Sequence, residues 1–75
     1  MKRYYEFFSA TDNGKKEYFI IDVTKIQFIS HNENEGLYGN TSIYYGLNQY
    51  NFSGGNNKII YDEIRKIMLQ LEKGE

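Results

Sequence analysis

Residues Ile60, Ile64, Ile67, Met68 and Leu71 fall at i, i+4, i+7, i+8 and i+11. That spacing places five large apolar groups on one stripe of an α-helix. Everything before residue 57 reads at period two instead. The change of period predicts a run of strands closed by one C-terminal helix over 57–73. Asn56 or Asn57 is placed to cap it, and Gly74 to end it. Asp62 and Glu63 precede Arg65, Lys66 and Lys73, the order the helix dipole favours.

The hydrophobic residues support this division. Among the apolar 40% of the 75 residues, 8 are Tyr and 5 are Phe, whereas Val and Ala occur once each. Aromatic and β-branched side chains suit a pleated, half-buried surface, and scarce Ala and Leu argue against a helical bundle. Alternation predicts strands over 2–9, 15–22, 26–33, 41–47 and 49–53. Thr11-Asp12-Asn13-Gly14 is a turn signal, and Asn34 to Asn40 is a loop with two glycines. Asp22 is placed to cap a corner at Asp22-Val23-Thr24-Lys25 through its carboxylate. Ile26 and Phe28 are assigned to one face of the third strand, and Ile43, Tyr45 and Leu47 to one face of the fourth. The expected fold is α+β: a single domain, 1–75, with a four- to five-stranded antiparallel meander and one amphipathic helix on a face.

That fold leaves an apolar surplus. One helix covers one sheet face, yet both faces of the first two strands carry large apolar groups. Tyr5, Phe7, Tyr18 and Ile20 are assigned to an uncovered face that meets a second copy or a protein partner. Strong curl of the sheet is the competing explanation. Size points the same way. A chain of this length buries only roughly 60% of its unfolded surface and commonly needs a disulfide, a metal or self-association. With no Cys and one His, self-association is the remaining support.

Other chemistry is sparsely represented. Nine Lys and Arg against ten Asp and Glu give a net charge of −1, without the basic excess of a nucleic-acid binder. No apolar run reaches the ~20 residues a bilayer span needs. The N-terminal Met1-Lys2-Arg3-Tyr4-Tyr5-Glu6 lacks the apolar stretch of a signal peptide, so a cytoplasmic protein is expected. No nucleophile motif is present, and the chain is read as non-catalytic and without a cofactor. His31, Glu33 and Glu35 alternate, which suits either a polar hairpin end or a divalent metal. Ser53-Gly54-Gly55-Asn56-Asn57-Lys58 reads as a strand-to-helix connection. The alternative function lies there: a phosphate-bearing, nucleotide-like ligand held by Ser53, Gly54, Gly55, Asn56 and Lys58, with Tyr50 stacked on a base. Its spacing is not that of a Walker loop.

Ile26-Gln27-Phe28-Ile29, Thr41-Ser42-Ile43-Tyr44-Tyr45-Gly46, Phe52-Ser53-Gly54-Gly55 and the Ile-rich helix together resemble small phage and bacterial proteins in which a β-meander ends in one helix, the flagellar FlbD-type proteins among them. The resemblance covers most of the chain in pattern and glycine placement. It implies the same architecture and a mobile-element accessory or host-antagonist role, and it transfers no functional residue.

Overall fold

The first two strands, β1 (Tyr4–Ala10) and β2 (Lys16–Asp22), form an antiparallel hairpin in which Tyr5 faces Ile21 and Phe7 faces Phe19. A computed structural model describes residues 3–10 and 13–73. The expected strand start at Lys2, half of the first turn signal (Thr11 and Asp12) and the helix stop at Gly74 lie outside the described residues. The chain leaves β2 through a 3-10 turn, Val23–Lys25. Asp22 caps it by accepting from the Thr24 backbone N–H. Then follow β3 (Ile26–Asn32), β4 (Asn40–Tyr45), β5 (Asn48–Phe52) and the helix α1 (Asn57–Glu72).

The single meander expected from the sequence is two sheets, β1-β2 and β3-β4-β5. The capped turn is the reason. It redirects the chain at Asp22, so β3 pairs with β4 and not with β2. The hairpin then folds back over the second sheet, and its end is tied there by the Asp22 N–H donating to the Tyr45 hydroxyl at 3.4 Å.

Two further expectations change. Ile26 and Phe28 do not share a face. A β-bulge lies between them, where the register with β4 shifts. One extra residue there inverts the alternation. Ile26 is consequently buried, while Phe28 is exposed and stacks on Tyr44 at 4.0 Å between centroids. Leu47 does not continue β4. Tyr45 pairs with Asn48 across a two-residue turn, Gly46-Leu47, with Gly46 at φ +62°. A glycine with positive φ at the first turn position suits the twist of a tight hairpin. Leu47 is left fully exposed at its tip.

The core lies where the inner faces of both sheets meet the helix. Phe7, Val23, Ile26, Ile43, Phe52, Ile60, Ile64 and Ile67 are buried. The helix contributes the stripe its spacing implied, with Met68 and Leu71 packed at the margin. Each fully buried Ile contributes about 1.5–3 kcal/mol. Phe7 and Phe19 lie near-parallel at 5.3 Å, and Phe52 meets both edge-on at 5.3 and 5.6 Å. Such edge-to-face pairs satisfy the ring quadrupoles as well as burying area.

Candidate functional site

Register decides which aromatic residues of the hairpin are available. Five residues separate Ala10 from Lys16, so odd-numbered positions of β1 pair with odd-numbered positions of β2. Tyr5 and Phe7 therefore join Phe19 and Ile21 on the inner face. Phe7 is buried, and Tyr5 is half-buried with its phenol pKa pushed up by burial and then by the nearby Glu63 carboxylate. Tyr18 and Ile20 point the other way. The four residues assigned to one face from the sequence are thus split between two. A loop of odd length, rather than even, causes the split.

The outer face holds Tyr4, Glu6 and Phe8 from β1 against Ile20 and Tyr18 from β2. Tyr4, Tyr18 and Ile20 are 55%, 66% and 68% exposed. Phe8 and Tyr18 approach to 6.2 Å between ring centroids, and the Lys16 ammonium sits 4.6 Å from the Phe8 centroid. At the other end the Arg3 guanidinium lies 5.6 Å from the Tyr4 centroid, so the face is an aromatic-aliphatic patch with one acid at its centre and a cation at each end. Tyr4 and Phe8 were absent from the sequence assignment; the Asn13-Gly14 turn signal locates the hairpin but not its loop length.

The segment 53–58 is a structural latch. Asn57 is fully buried. Its amide donates to the Tyr38 carbonyl at 3.0 Å and the Gly54 carbonyl at 2.8 Å, with the Gly39 carbonyl at 3.3 Å. Its side-chain oxygen accepts from the Thr41 hydroxyl at 2.8 Å. Asn56 begins the helix without a side-chain cap; its amide reaches across to the Phe8 carbonyl at 2.8 Å. Lys58 pairs with Asp62 at 2.6 Å. Gly55 lies under the Tyr38 ring. Tyr50 is remote from this group. It faces Ile43 on the inner side of β5 and borders an apolar cleft of about 220 Å³ between the two sheets, with Phe7, Phe19, Tyr45 and Phe52. Gly54, Asn56 and Asn57 are brought together, then, but by internal bonds, and Tyr50 is not brought to them. The role of Asn57 had no sequence signal beyond its place before the helix.

His31 lies 2.9 Å from the Thr41 hydroxyl through Nδ1 and beside the Tyr61 ring at 5.9 Å. Among the described residues, no three His, Asp or Glu side chains converge as a metal site. No helix among them is long and apolar enough to cross a membrane. At the far end of the hairpin, Arg3 grips Asp22 with Nε at 3.1 Å and Nη2 at 2.8 Å from its oxygens. That pairing, with the Thr24 bonds, holds the Asp22 pKa well below the usual carboxylate range.

Comparison with protein-family models, with curated proteins and with solved structures finds no match to this chain.

Proposed function

We propose that this chain is a non-catalytic interaction protein that associates with a second copy of itself through the outer face of the β1–β2 hairpin. The observation that carries this reading is the exposure of Tyr4, Tyr18 and Ile20 on one face, with Phe8 opposite Tyr18. The helix and the second sheet pack on the opposite side. Adjacent exposed apolar groups on a small protein mark an interaction surface. At ~200 Å² per aromatic side chain, this face offers ~400 Å², about half of what each partner buries in a stable complex. A net charge of −1 puts little repulsion between copies. Glu6 and Lys16, on the same face, supply opposite charges for a two-fold pair.

Light scattering across a concentration series tests it. The expected mass is twice 8.9 kDa, and Ile20→Glu, at an exposed position, yields a folded monomer. A wild-type monomer at about 1 mM, where even weak pairs with micromolar to millimolar constants form, overturns the reading.

A further inference from the structure

A second surface lies between β3 and α1 and includes no residue of the hairpin. Among the described residues β3 pairs with β4 and with no other strand, which leaves its other edge open. A groove of about 230 Å³ runs between that strand and α1. Its strand wall is Gln27, Phe28 and Ile29, three consecutive residues. Successive side chains of a strand point to opposite faces. Gln27 is the bulged residue, but Phe28, stacked on Tyr44 on the outer face, and Ile29, packed against the core, border the same groove, which places the strand edge along it. The helix wall includes Arg65, Met68 and Leu69. Regular pairing past the bulge runs from Phe28 to Asn32, which gives ~16 Å of edge.

Besides the Gln27 amide and the Tyr61 phenol, the lining is apolar with one cation, Arg65. Lys66, beside it in sequence, is within 3.6 Å of Glu63. Arg65 has no ion-pair partner among the described residues and is exposed. A guanidinium offers two parallel N–H donors to a carboxylate. β3 itself, Ile26–Asn32, contains no acid, so the same strand from a second copy brings no carboxylate within the pairing segment.

We infer that this groove binds an extended acidic peptide segment of another protein by strand addition to β3. The peptide backbone pairs with the free edge from Phe28 to Asn32. An aliphatic side chain lies against Met68 and Leu69, and a carboxylate of the peptide meets Arg65. Main-chain pairing supplies affinity in this mode, and the side-chain contacts supply selectivity.

The probe is a capped peptide of alternating valine and threonine with one glutamate, placed at successive positions in a small panel. Binding is followed by the backbone amide resonances of the protein. The expected result is saturable shifts confined to 28–32 and the neighbouring turn of α1. Replacing the peptide glutamate by lysine weakens binding about tenfold, and Arg65→Glu reverses that preference. N-methylation of the peptide backbone abolishes binding while leaving the protein untouched. Unshifted β3 amides for every member at about 1 mM overturn the inference. So does equal binding of the N-methylated peptide. Loss of the peptide shifts through self-pairing of β3, seen as a doubled mass that Ile20→Glu does not reduce, assigns the edge to a second copy and also overturns it. Failure of hairpin self-association leaves these readouts unaffected.

Discussion

Truncation of Asn57 tests whether the segment before the helix is a latch. Asn57→Ala removes a fully buried amide that serves three carbonyls and one hydroxyl. Two of those partners are rescued. The Thr41 hydroxyl turns to the Asn57 backbone carbonyl at 3.0 Å, and the Gly54 carbonyl keeps the Asn57 backbone N–H at 3.0 Å. The Tyr38 and Gly39 carbonyls lose their donor. An orphaned buried polar group costs about 1–3 kcal/mol, and the Tyr38 carbonyl is only part-buried and so costs at the low end, which puts the substitution at about 2–4 kcal/mol. For 75 residues the whole stability is about 4–11 kcal/mol. With a denaturant slope near 1 kcal/mol per molar, the urea midpoint falls by about 2–4 M.

Asn57→Asp sharpens the test by keeping the shape. Only a protonated carboxyl can still donate to one of the three carbonyls. Its folded-state pKa must then lie above the unfolded value of about 3.9. The folded state holds its proton longer, so the deficit relative to wild type grows as pH rises from about 4 toward the folded pKa. The Ala variant shows a deficit that is flat with pH. Urea unfolding followed by far-UV circular dichroism, with each variant compared with wild type at pH 3.5 and 7, gives both quantities. A loss below about 1 kcal/mol for Ala, less than one orphaned group costs, refutes the latch. So does an Asp deficit that does not change with pH.

Two other perturbations follow from the same geometry. Asp22 has a depressed pKa through Arg3 first and Thr24 second; its contribution is present above the unfolded value near 4 and is lost as pH falls below it, so the wild-type urea midpoint drops toward pH 2 while Asp22→Asn flattens that acid slope. Gly39 and Gly46 both have positive φ, at 78° and 62°, but a Cβ on Gly39 would meet the Asn32 carbonyl at 2.8 Å whereas one on Gly46 meets nothing within 4 Å. Gly46→Ala therefore costs about 1–2 kcal/mol from backbone strain alone, and Gly39→Ala costs more; equal melting temperatures for the two variants contradict this.

The helix and the strands were legible because each rests on a local period. Ile60, Ile64 and Ile67 report a helical stripe whatever they pack against, and the stretches before them alternate visibly. What escaped the sequence was parity. Whether Tyr18 or Phe19 joins Phe7 depends on one residue of loop length, and whether Ile26 joins Ile29 depends on one bulged residue. Neither is encoded in the hydrophobicity of the strands, because both faces of the hairpin carry aromatic groups. A strand with clean apolar-polar alternation resists a one-residue slip; one with Tyr4-Tyr5 and Phe7-Phe8 does not declare its inner face. The same ambiguity hid the candidate patch: Tyr18 and Ile20 were legible as surplus, Tyr4 and Phe8 were not.

The break into two sheets has the same local origin and a larger consequence. Asp22 caps the turn, binds Arg3 and donates its backbone N–H to Tyr45. It thereby fixes the hairpin over the second sheet and frees the edge of β3 from β2. Had β2 and β3 paired, β3 would be an interior strand and the groove beside α1 would have no open backbone. One residue at the end of β2 thus shapes both surfaces proposed for partners. It sets the fold-back that leaves the outer aromatic face uncovered, and it leaves the β3 edge unpaired next to Arg65. Function in so small a chain need not reside in a pocket. In the two proposals above the means of recognition are a sheet face and a sheet edge, both produced by where one strand was prevented from pairing.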